Sequence, residues 1–258
     1  MGRAMIGGLM AKKTVAENQI YVSDRNTDSL DQIQSQWENI ICSTDNKNTV
    51  QNADIIVLAV KPNIYSAVIE EISFLIDETK IFITIAAGIT IDQAEKMLGK
   101  KTKIVRTMPN TPAQVGEGVT AYWCNSSLSS DEEQMILPIL RSFGIVEKIE
   151  EKYFHAVIAV SGSSPAYVYM FIEAMADAAV LQGLPRDQAY RMASQAVLGA
   201  AKMVRDTGIH PGVLKDAVCS PGGTTIEAVA TLEEEGLRSS VIKAMNKCTK
   251  KSKAMTKG

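Results

Sequence analysis

The sequence predicts an α/β domain built on an open parallel sheet, followed by an all-α domain. Two observations lead there. Through the first 150 residues, short apolar runs alternate with segments of helical period, as successive βαβ units do. After residue 150 no run of β character remains, and Ala- and Met-rich helical patterns fill the chain. The boundary therefore falls at 150, giving domains 1–150 and 151–258 in a chain of 258 residues.

The elements follow in order. The chain opens Met1-Gly2-Arg3-Ala4-Met5-Ile6-Gly7-Gly8, with a helix expected over Arg3–Lys12. An α/β domain that binds a dinucleotide opens with a strand and a Gly-rich turn feeding its first helix. Here Gly2 looks like the last glycine of such a turn, so the strand and the earlier glycines are expected to be missing. The sheet would then lack its central strand. Gln19–Val22 and Asn39–Cys42 are short strand candidates, separated by a helix over Thr27–Trp37. Asp54–Val60 (DIIVLAV) and Ile81–Ala86 (IFITIA) are unbroken apolar runs, as in strands buried on both faces of a parallel sheet. Lys103–Met108, Val119–Cys124 and Gly144–Ile149 complete the strands. Helical patterns cover Tyr65–Ile76, Ile91–Leu98 and Ser130–Ser142.

In the second half, Glu151–Leu181 breaks near Gly162 and Pro165, then resumes as a long helix. Pro165 suits its first turn, with Ser163 or Ser164 as cap. Gly183-Leu184-Pro185 ends that helix. Arg186–Asp206 is amphipathic and carries Ala193, Ala196, Gly199 and Ala200 along one side. These small residues serve either packing within the chain or a helical dimer interface. Lys243, Lys247, Lys250, Lys251, Lys253 and Lys257 read as the solvated end of a C-terminal helix, where positive charge suits the dipole.

Composition narrows the function classes. The chain is 46% hydrophobic and 22% charged with a net charge of -2, so it has no basic footprint for nucleic acid. No run of 18 apolar residues is present to span a membrane, and no basic-then-apolar targeting segment opens the chain. Cys42, Cys124, Cys219 and Cys248 lie far apart without CxxC spacing, and neither His155 nor His210 is near a cysteine pair. No metal site is expected, and reduced thiols point to the cytoplasm.

The sharpest chemical signal lies between His210 and Glu233. There Ser220-Pro221-Gly222-Gly223 runs into Thr224-Thr225 and a helical pattern through Ile226, Val229 and Ala230. A helix start offers N–H groups without intrahelical partners and the positive end of the dipole, which suits a small carboxylate. The alternative is an ordinary loop whose Ser or Thr caps the helix. Ala59-Val60-Lys61-Pro62 and Ala86-Ala87-Gly88 end two buried runs, where open α/β sheets bind ligands. Each also reads as a tight strand-to-helix turn. Ser23-Asp24-Arg25-Asn26 follows a strand candidate; an acid there suits a free ribose 2′-hydroxyl, an Arg a 2′-phosphate.

Taken in order, these segments resemble the pyrroline-5-carboxylate reductase family over essentially the whole chain. The most specific part is His210-Pro211-Gly212, Leu214-Lys215-Asp216 and Ser220–Thr225. Supporting it are Ala59–Pro62, Ala86–Gly88, Met108-Pro109-Asn110-Thr111-Pro112, Ser161–Tyr167 and Gly183–Pro185. The resemblance implies a Rossmann-type domain and a helical domain. It implies an intertwined homodimer through the C-terminal helices, often assembled further. The implied reaction is hydride transfer from NADPH or NADH to the C=N bond of 1-pyrroline-5-carboxylate, giving L-proline. Cofactor contacts are expected at Gly2, Asp24, Arg25, Asn46, Ala59, Val60, Lys61, Pro62, Ala86 and Ala87, with Arg25 tipping the choice toward NADPH over NADH. Substrate contacts are expected at Ser220, Gly223, Thr224 and Thr225. Some members carry a hydroxyl residue early in the long helix as proton donor. The corresponding position here is Met170, which cannot donate, so no catalytic acid is assigned. Two other readings compete. A β-hydroxyacid dehydrogenase would use a lysine on the long helix, yet the first lysine after Pro165 is Lys202. A cofactor-deficient paralogue serving as a dimeric scaffold has only the shortened opening in its favour.

Overall fold

Helix and strand alternate through the first half: α1 (Gly2–Ala11), β1 (Tyr21–Ser23), α2 (Thr27–Gln36), β2 (Ile41–Ser43), α3 (Asn46–Gln51), β3 (Ile55–Leu58), α4 (Tyr65–Ile72), β4 (Ile81–Thr84), α5 (Ile91–Leu98), β5 (Lys103–Met108), β6 (Gly118–Cys124), α6 (Ser130–Arg141) and β7 (Gly144–Lys148). The computed structural model describes residues 1–99 and 101–256. Beyond β7, the described residues form helices only: α7 (Phe154–Val157), α8 (Ser164–Leu181), α9 (Arg186–Thr207), α10 (Pro211–Val218), α11 (Thr224–Glu234) and α12 (Leu237–Thr256). Of the C-terminal lysines, Lys257 lies outside the described residues, while the others sit exposed on α12. The chain divides into two compact units, Met1–Gly162 with the residues from Cys248 onward, and Ser163–Lys247.

In the first unit, β3 to β7 form one five-stranded sheet in the order β3-β4-β5-β6-β7, and β1 pairs with β2 in a separate parallel ladder. All pairs are parallel except β5–β6. The open parallel sheet expected from the alternating pattern is present, with this one reversed pair inside it. Only a short 3-10 turn, Thr111–Val115, joins β5 to β6. A parallel return needs a crossover of a dozen or more residues, so the chain can only turn back antiparallel.

Helices cover both faces of the sheet. On one, Tyr65, Val68, Ile69 and Ile72 of α4 and Ile91, Ala94 and Leu98 of α5 pack against Ile56, Leu58, Phe82 and Ile104. On the other, Met5 of α1 and Ile136, Leu137 and Leu140 of α6 cover Ile81, Ile83, Val105 and Tyr122. Burying each of these large side chains contributes roughly 1.5–3 kcal/mol. The central strand β4 is buried along its whole length. In β3 burial alternates, with Ile55 and Val57 only half covered. The expectation of burial on both faces fails for β3 because it is the outer strand of its ladder. Burial also pushes the Tyr65 phenol up to about 12, so it stays protonated.

Three local features departed from the sequence pattern. Helix α3 was not foreseen; it is short, and its start is held by the Asp45 side chain accepting from Lys47 N–H at 2.9 Å. Helix α4 tightens into a 3-10 turn at Ser73–Leu75 rather than running to Ile76. The break before Pro165 is a π-turn over Ile158–Gly162; Ser163 holds the N-cap position of α8, but its side chain makes no capping bond.

In the second unit, α8 and α9 pair as an antiparallel hairpin turned at Gly183, whose φ of 94° suits a glycine. Ala176, Ala189 and Ala193 are buried there. Of the small residues on α9, Ala193 thus serves packing within the chain, whereas Ala196 and Ala200 remain exposed.

Candidate active site

Because β3 and β4 are parallel neighbours, the turns that follow them lie side by side at one edge of the sheet. These turns are Ala59–Pro62 and Ala86–Gly88. Lys61 is exposed and stands at the N-cap of the 3-10 turn Pro62–Ile64. Ala86 is buried, Ala87 half-buried, and Gly88 turns the chain with φ +88°. Gly2, at the start of α1, reaches this edge: a Cβ there would stand 3.4 Å from Ala59 Cβ. No side chain caps α1, so its first N–H groups are available to an outside acceptor. An uncapped helix start beside small side chains at a sheet's carboxyl edge fits a dinucleotide phosphate.

The ladder of β1 and β2 supplies the other candidate cofactor residues. Asp24 Oδ1 accepts from Asn26 N–H at 2.9 Å, and Asn26 in turn caps α2. Arg25 is exposed. Asn46, the first residue of α3, accepts from Ser23 Oγ at 2.8 Å and donates to Glu71 Oε2 at 3.1 Å. Asn46 therefore ties the end of β1 to Glu71 in the last turn of α4. In this unit Gly2 is brought against Ala59, and Asn46 against Ser23, two residues before Arg25.

Ser220, Gly223, Thr224 and Thr225 belong to the second unit. The N-cap of α11 is Gly223, with φ -80° and ψ 168°, and no side chain caps the helix. The ordinary reading, a Ser or Thr as N-cap, thus fails here. Thr224 and Thr225 occupy the first two helical positions instead. Gly223 N–H donates to Ser220 O at 3.0 Å, closing a turn in which Gly222 takes φ +64°. A Cβ at Gly223 would press on Ser220 Oγ and come to 3.1 Å from Ser220 O. Glycine at this point keeps the loop tight and leaves the helix start open.

Sequence reasoning missed a polar group beneath the sheet. Arg106, almost fully buried on β5, pairs with Glu151 at 2.8 Å and lies 4.6 Å from the Phe154 ring. Glu151 Oε1 also accepts from Ile91 N–H at 2.7 Å, at the start of α5. Asn110, 8% exposed, donates to Ser161 O at 3.1 Å and accepts from Val119 N–H at 3.0 Å. The one available signal was Arg106 in the middle of the strand candidate Lys103–Met108.

A doubly wound α/β unit whose sheet edge fits a dinucleotide, joined to a helical unit, defines a class: nucleotide-dependent oxidoreductases. The comparisons narrow it. Residues 1–88 match the family described as NADP oxidoreductase coenzyme F420-dependent, and residues 151–255 match pyrroline-5-carboxylate reductase dimerisation. The chain is 50% identical over 257 residues to the pyrroline-5-carboxylate reductase of Escherichia coli (strain K12), covering 100% of this chain and 95% of that protein. The solved pyrroline-5-carboxylate reductase of Coxiella burnetii is 35% identical with a TM-score of 0.92, covering 100% of this chain and 95% of that one. That of Plasmodium falciparum, solved with NADP bound, is 33% identical with a TM-score of 0.90, covering 99% and 94%. The chain belongs to the pyrroline-5-carboxylate reductase family. It is an oxidoreductase with a nicotinamide-cofactor domain, and it carries the family's region for homo-oligomerisation. Among the described residues, no helix is long and apolar enough to cross a membrane.

Proposed function

We propose that this enzyme reduces the C=N bond of 1-pyrroline-5-carboxylate to give L-proline, with residues 1–150 holding the cofactor and residues 151–258 the substrate and the dimer contact. The observation that carries the reading is the open start of α11 in the Ser220–Thr225 loop. The substrate's single carboxylate fits there, accepting from the unpaired N–H groups and from the Thr224 and Thr225 hydroxyls, with Ser220 closing the loop. That grip fixes the imine ring in place. The nicotinamide cofactor, when bound, supplies the hydride. Met170, 70% exposed on α8, has no proton to give. A pre-protonated imine meets the need, because its nitrogen becomes a neutral amine once reduced.

On the cofactor side, Gly2, Asn46, Ala59, Val60, Lys61, Pro62, Ala86 and Ala87 form the contact. Asp24 is committed to Asn26, whereas Arg25 is exposed beside it, which favours NADPH through its 2′-phosphate over NADH. A homodimer through the C-terminal helices is supported by apolar side chains open in the single chain, among them Tyr169, Met170, Met192 and Leu198, 55% to 70% exposed. The cytoplasm suits a chain whose cysteines form no disulfide.

Thr225→Ala tests the carboxylate site. Losing a hydrogen bond to a charged group costs about 1.5–3 kcal/mol, so kcat/KM for the imine should fall between about 10- and 150-fold. Near-normal kinetics with Thr225→Ala would remove the carboxylate role.

A further inference from the structure

We propose that the end of α12, from Thr249 to Thr256, is a clasp that positions the Ala86–Thr90 turn for the cofactor. The inference rests on the cofactor reading of that turn. Four contacts carry it, all within the first unit. Ser252 Oγ stands 2.8 Å from His155 Nδ1, and Thr249 Oγ1 donates to His155 O at 3.4 Å. Thr256 O accepts from Gln93 Nε2 at 3.5 Å. The Met255 carbonyl lies 3.7 Å from where a Gly88 Cβ would stand, so backbone backs onto backbone at the turn.

These contacts do not read as the solvated helix end that the lysines suggest. Lys250, Lys251 and Lys253 are exposed, yet Ser252 among them is 7% exposed. Gln93 is already the second half of a capping box: its Oε1 accepts from Thr90 N–H at 2.9 Å while its own N–H donates to Thr90 Oγ1 at 3.2 Å. The Thr256 carbonyl therefore holds the side chain that fixes the far end of the turn, and Met255 backs its middle. Glu151 anchors the next residue through Ile91 N–H. Gly88 needs such support, since a glycine at φ +88° is the least restrained point of the turn. His155 stays neutral, because burial and the neighbouring Arg106 and Lys253 hold its pKa below the usual range, so it can accept from the Ser252 hydroxyl.

Ser252 is thus a positioning residue, and the test separates that role from mere stability. In the full chain, Ser252→Ala should raise the cofactor KM about ten-fold while the imine KM stays within about two-fold. Amide exchange over residues 86–91 should quicken, and Ser252→Thr, which keeps the hydroxyl, should restore both. Unchanged exchange and unchanged cofactor KM would overturn the clasp. So would faster exchange without a cofactor effect, provided Ala87→Val in the otherwise native chain does weaken cofactor binding. If Ala87→Val leaves cofactor binding intact, the cofactor reading of the turn is what fails, and the inference falls with it.

Discussion

Replacing Gly223 by Asp should separate helix capping from substrate binding in one step. The backbone at Gly223 has φ -80° and ψ 168°, which any residue adopts, so the substitution carries no conformational strain of its own. The added Cβ displaces Ser220 Oγ, the mobile end of a side chain, and meets the Ser220 carbonyl at 3.1 Å. The new carboxylate then accepts from the N–H of Thr225 or Ile226 and caps α11 as Asp does elsewhere. An Asp in place of a Gly at this position changes stability by only a few tenths of a kcal/mol. Substrate binding pays heavily, because the carboxylate of the imine would meet a fixed negative charge. Two like charges about 4 Å apart at an effective dielectric of about 20 repel by about 4 kcal/mol, or roughly 1,000-fold in kcat/KM. Steady-state kinetics against 1-pyrroline-5-carboxylate, with cofactor titration and thermal unfolding as controls, reads all three. The expected pattern is a melting temperature shifted by a few degrees at most, unchanged cofactor affinity and a collapse of kcat/KM. A variant that keeps its kcat/KM would refute the carboxylate site, however well it folds.

Arg25→Ala should lower kcat/KM with NADPH and leave NADH nearly unaffected; an unchanged NADPH preference would sink the role of Arg25. Gly8→Ala should destabilise the first unit. A Cβ there would stand 2.8 Å from Phe143 Cβ and 2.9 Å from Ser142 O, and overpacking against backbone outweighs the helix propensity gained. A loss of about 1–2 kcal/mol should lower the melting temperature by about 2–8 °C by calorimetry. His155 gives a pH signature. Its folded pKa lies below 6.5, so the unfolded chain binds the proton more readily, and stability should fall as pH drops below about 6.5. His155→Gln should flatten that slope in urea titrations between pH 7 and pH 5; an unaltered slope would show that another group sets it.

The elements most legible in the sequence were those with a full apolar period. Ile81–Ala86 announced itself because a strand covered on both faces needs an unbroken apolar run, and β4 is buried along its whole length. A run has no direction, however, and the reversal at β6 was set by the short Thr111–Val115 connection. Helix α3 escaped notice because its six residues are too few to show a period. At the candidate site, Ser220–Thr225 was visible as a loop feeding a helix. Which residue would occupy the N-cap was not, since Ser, Thr and Gly all suit that position.

By itself, the sequence determined the fold class, the helical second half and the ordered motifs that place the chain in its family. Those properties follow from apolar periodicity and from residue types at fixed spacing, and both survive in one dimension. Tertiary structure alone decided that Gly2 meets Ala59, that Arg106 pairs with Glu151, and that Ser252 is buried against His155. Each joins residues 45 or more apart, and such contacts depend on how helices pack on a sheet. Local pattern cannot encode that packing, because the same serine reads as surface or as core according to what the fold lays against it.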